Sequence, residues 1–156
     1  MASTPEELAL SLSQATFDAQ QRMEAKLRER ATNVLSAASI VVPVAAVAVG
    51  KGPALVAIPF SGAALAYIWC AVESCAALIP RGFSTGIAGG RFLEQGRTYD
   101  AGLHQLEASA AVYLDQLHDN NVPNLENTTQ HVTRAIVALM LEISASAVAL
   151  VATLLT

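Results

Sequence analysis

The chain has 156 residues, 53% hydrophobic, 5% aromatic and 14% charged, with a net charge of −4 and a mean hydropathy of +0.44. Soluble domains carry roughly 25% charged residues, so this balance points to a membrane protein, and the acidic net charge excludes a general affinity for nucleic acid. The two cysteines, Cys70 and Cys75, fall about 140° apart on a helix, which excludes a bridge within it and leaves both as buried, inert thiols.

The opening "MASTPEELALSLSQ" has early acids and no basic region before an apolar stretch, so it is not a secretory signal. It reads as a helix start, with Ser3 or Thr4 as cap, Pro5 at the first helical position and Glu6 and Glu7 in the first turn. Residues 1–30 form a cytoplasmic amphipathic helix in which Leu8, Leu12, Ala15, Ala19, Met23 and Leu27 recur at steps of three and four. The run 31–50, "ATNVLSAASIVVPVAAVAVG", has no charge and spans about 30 Å as a helix, the thickness of a bilayer core. It is the first expected transmembrane helix, kinked at Pro43. "GKGP" (50–53) is a turn, and 54–79 is the second span, with Glu73 as its only charge.

Pro80 and Arg81 end that span. Residues 80–133 then read as a cytoplasmic helical segment. Its glycine-rich linker, "GFSTGIAGG" (82–90), lacks the Gly-Lys-Ser/Thr ending of a phosphate loop. A helix follows over 91–119, in which Leu103, Leu106, Ala110, Tyr113 and Leu117 form a short coiled-coil-like seam. "HDNNVPNLENTTQ" (118–130) is expected to break it, and 134–156 is the third span. With the N-terminus inside, eight of the nine basic residues (Arg22, Lys26, Arg28, Arg30, Arg81, Arg91, Arg97 and Arg134) are cytoplasmic and Lys51 is outside. That asymmetry sets the expected topology, with the C-terminus on the outer side of the inner membrane. The expected fold class is therefore all-α: an integral membrane protein with three transmembrane helices and a small cytoplasmic helical layer.

Little in the sequence suggests catalysis. Ser61, Ser74, Ser144 and Ser146 lie in the spans without a nearby histidine, while His104, His118 and His131 lie in the expected cytoplasmic layer. There is no hydrolase, kinase, zinc or dinucleotide motif, so no catalytic residue, cofactor or metal site is assigned. Glu73 and Glu142 are different, because an ionisable group inside a span costs roughly 2.5–3.5 kcal/mol at its centre. Each lies eight residues from an arginine, Arg81 and Arg134 respectively, which places both about 12 Å from the cytoplasmic end. Two uses compete for them: a polar seam or cation-attracting ring between assembled subunits, or hydrogen bonds that tie helices together.

The order of elements, with "EAKLRERATNVLSAASIVV", "AALIPRGF" and "NLENTTQHVTRAIVALMLEI", loosely resembles the small bacterial SLATT and Pycsar-type transmembrane effectors of nucleotide-signalled antiphage systems. The resemblance implies oligomerisation through cytoplasmic helices and membrane disruption on activation, with any nucleotide sensing supplied by another chain. The expected partners are the lipid bilayer, further copies of the chain, and a cytoplasmic protein docking on residues 5–30 and 91–119. A holin-like pore former and a structural membrane subunit are the alternative functions.

Overall fold

The computed structural model describes residues 5–49, 57–79 and 102–155, and every regular element within them is an α-helix. These are α1 (Pro5–Val49), α2 (Ala57–Leu78) and α3 (Leu103–Leu154). The expected GKGP turn, the linker 82–90, Arg81 and the first part of the 91–119 helix lie outside the described residues. α1 begins at Pro5, where the ring costs no hydrogen bond because the first helical N–H groups have no partner anyway. α3 opens at Gly102, whose carbonyl accepts from the Gln105 and Leu106 amides at 3.0 and 3.2 Å.

The break expected over 118–130 is absent. α1 runs unbroken for 45 residues through position 30, and α3 for 52 residues through the whole of 118–130. Pro43 and Pro123 are inside these helices, although a proline in a helix interior costs about 3 kcal/mol. Around Pro123 the buried face continues without a gap through Asn121, Thr128 and Val132, with Leu125 half-buried between them. Periodic tertiary packing overrides the local preference of Asp, Asn and Pro for a turn.

The buried face of α1 is a heptad seam. Ser13, Gln20, Leu27, Ala31 and Ala38 are buried, and half-buried Phe17, Glu24 and Val34 fill the intervening three- and four-residue steps. The stripe read from the sequence shares only Leu27 with this buried seam. Leu8, Leu12 and Met23 are each more than half exposed.

The chain divides into two units. One takes residues 1–25 and 80–126; the other takes 26–79 and 127–156. In the first, the α1 and α3 segments run parallel through a polar seam: the Ser13 hydroxyl donates to Asp115 at 2.9 Å, and the Gln20 amide donates to the His118 carbonyl at 3.2 Å. Leu12 and Val112 border an open groove of about 440 Å³ beside it.

In the second unit all three helices meet. Its core is Ala38 of α1, Cys70 of α2, and Ala135 and Ala138 of α3, with Val34, Tyr67 and Leu139 packed against it. Small side chains let the helix backbones approach closely. The large side chains point outward: Ile40, Val44, Leu65, Ile68, Val72 and Met140 are all exposed. Cys70 is buried and Cys75 exposed, so only one of the two thiols is as expected; 140° of helix turn separates the faces.

Two of the described helices are long and apolar enough to cross a membrane, α2 over Ala57–Leu78 and α3 within His104–Leu154. Residues 31–49, expected as a separate span, are the C-terminal part of α1, which is not among these two. Only 22% of the most apolar stretch of α2 and 28% of that of α3 is buried, whereas a core helix of a soluble protein is mostly buried.

Candidate functional site

Glu73 and Glu142 both belong to the second unit, and their surroundings differ completely. On α2, Glu73 is one turn after Trp69 and projects toward α3. Its Oε2 lies 2.5 Å from His131 Nδ1, and its Oε1 accepts from Trp69 Nε1 at 3.2 Å. The side chains of His131 and Glu73 are 19% and 13% exposed, so the pair is shielded without being sealed. A histidine carrying its proton on Nδ1 donates it here, whether the ring is neutral or charged. Each carboxylate oxygen thus has a partner, one across the helix interface and one along its own helix.

The opposite holds for Glu142. It is fully buried, and among the described residues neither of its oxygens has a hydrogen-bond partner. Ser146, one turn further along α3, is buried with its hydroxyl also unpartnered. Cys70 of α2, equally buried, is within electrostatic reach of Glu142. Ser146 also lines a groove of about 310 Å³ between α1 and α3, walled by Ile40, Val41, Val44, Ile143 and Leu150.

These two acids do not meet. α2 runs antiparallel to α3, so moving back along α2 from Glu73 to Cys70 and Tyr67 moves forward along α3 from His131 to Ala135, Ala138 and Leu139. His131 and Glu142 are eleven residues apart in the sequence, which is about 16 Å along a helix. Measuring each acid from its nearest arginine put them at one level. The interhelical register instead sets Glu73 beside His131, with Arg134 within electrostatic reach.

His131 is the site residue that sequence reasoning missed. A signal was present: His131, Ala135, Ala138 and Glu142 follow steps of four, three and four, which puts all of them on one face of α3. The hydropathy pattern hid it, because His131 precedes the apolar run and was grouped with the polar segment. Among the described residues, no group of three or more His, Cys, Asp or Glu side chains has an arrangement that would hold a metal ion. No protein-family model, no curated protein and no solved structure matches the chain.

Proposed function

We propose that the chain is a non-enzymatic integral protein of a bacterial inner membrane that crosses the bilayer three times, self-associates and permeabilises that membrane as an effector. The observation that carries the membrane reading is the inverted second unit. Apart from Leu27, Thr128 and Val132, its buried positions are Ala, Ser, Cys and Glu, while most of its large Ile, Leu, Val and Met side chains are exposed. In water that arrangement exposes far more contiguous apolar surface than a monomer tolerates; in lipid it is the ordinary solution. Residues 31–49 supply the third crossing in this reading, because they pack beside α3 in the same direction through Ala38 and through the groove walls. The basic residues before α1's apolar half support a cytoplasmic N-terminus.

Self-association rests on the first unit. Leu8, Leu12 and Met23 form an exposed apolar stripe on α1 that none of the described residues covers, and such a stripe suits a neighbouring helix. It equally favours the second reading, a structural subunit that docks a cytoplasmic protein. The effector role follows the SLATT and Pycsar-type layout, and a holin-like pore former is the remaining alternative. Induced expression in cells carrying a membrane-potential dye separates these readings. Depolarisation is the expected result; normal potential and growth, with the protein abundant in the membrane fraction, would exclude both permeabilising readings and leave the docking subunit.

A further inference from the structure

Glu73 is closed by His131 and Trp69, which leaves Glu142 as the carboxyl group with unused capacity inside the apolar region. An ionised carboxylate needs donors on two oxygens, and neither oxygen of Glu142 has one among the described residues. A neutral acid has a single proton to place. Ser146 stands one turn along the same face, with Cβ atoms about 5–6 Å apart at that spacing, and its hydroxyl is also unpartnered. Ser146 also lines the apolar groove between α1 and α3, although its hydroxyl is itself buried.

We infer that Glu142 is a proton-binding site within the bilayer, with the Ser146 hydroxyl one turn along α3 as the group that shares its proton. The inference rests on the reading that α3 spans a membrane. Of the groups near the acid, α2 contributes the Cys70 thiol, and from α1 Ile40, Val41 and Val44 line the groove that Ser146 shares. On α3 itself, His131 and Arg134 lie two to three turns away, at the level of Glu73. Neighbours of this kind hold a proton more readily than a metal ion, since a cation requires several oxygen donors.

An apolar carbodiimide tests the site directly. The carboxyl O–H adds across one C=N bond, its oxygen to carbon and its proton to nitrogen, and the O-acylisourea rearranges to a stable N-acylurea of the same mass. Full-length protein in membrane vesicles is treated with dicyclohexylcarbodiimide, and the adduct is located by peptide mass spectrometry. The expected result is a label on Glu142 and none on Glu73, declining as the pH is raised. The label is lost in Glu142→Gln and forms several-fold more slowly in Ser146→Ala, with membrane recovery unchanged in both. An unlabelled Glu142 in protein that pellets with membranes would overturn the inference, as would equal labelling by a charged, membrane-impermeant carbodiimide. Protection by sodium ions at constant pH would also overturn it, by making the ligand a metal cation. Release of the protein from the vesicles by an alkaline wash would instead overturn the spanning reading on which the inference stands.

Discussion

His131 and Glu73 form the best-defined polar contact between helices in the second unit, and their energetics follow from burial. Removing His131 leaves one oxygen of a shielded carboxylate without its donor, a loss of about 1–3 kcal/mol in water-soluble proteins. Interhelical hydrogen bonds in membranes average nearer 0.6 kcal/mol, because the separated helices find other partners. His131→Ala is therefore expected to lower stability by about 1 kcal/mol in detergent. Trp69→Phe removes only the longer bond, at 3.2 Å, and is expected to cost less. Thermal unfolding of Glu73→Gln, His131→Ala and the double variant gives the coupling directly. A coupling near zero would mean that the pair does not tie α2 to α3.

At the scale of the elements, the small-residue seam and the interior prolines make opposite predictions. Ala135 and Ala138 are fully buried at the meeting of the three helices. Ala135→Leu is expected to cost about 1–3 kcal/mol by overpacking, and to separate the helices in disulfide-crosslinking assays between α1 and α3. Leu65→Ala, at an exposed position, is expected to leave stability within about 0.5 kcal/mol of the parent. Pro123→Ala restores an N–H donor inside a helix that already forms, and should stabilise the chain by up to about 3 kcal/mol. Hydrogen exchange around residues 119–123 would register that gain as slower exchange. Unchanged or faster exchange there would indicate that α3 is not continuous through Pro123.

For the whole molecule, the outward apolar surface and the exposed α1 stripe are separable. Met140 is exposed on α3 among Val137, Leu141 and Ile143, so Met140→Lys places a charge where lipid is expected. Insertion should become less favourable by about 2.5–3.5 kcal/mol, read as loss of protein from the membrane fraction. Leu12→Asp with Met23→Asp alters only the first unit. It should leave membrane recovery intact while reducing the assembly seen by light scattering in detergent. An unaltered assembly size would place self-association on another surface.

Several features were legible in the sequence because they depend on local composition alone. The apolar runs, the all-helical class of the described residues and the two acids within apolar helices follow from hydropathy and from the helix period. Continuity of α1 and α3 was not legible, since Pro43, Pro123 and the Asn-rich stretch carry turn preferences that a buried seam overrides. The packed face of α1 was missed for a related reason: apolar periodicity selected Leu8, Leu12 and Met23, whereas Ser13, Gln20 and Ala31 are buried, small and polar residues allowing close approach. The fates of Glu73 and Glu142 were decided by the register of α2 against α3. A shift of one turn changes every cross-helix neighbour while leaving the sequence pattern of each helix the same. Composition determined that two acids sit in apolar helices; only the interhelical register decided that one is paired with His131, 58 positions away in the chain, and the other is buried without a hydrogen-bond partner among the described residues.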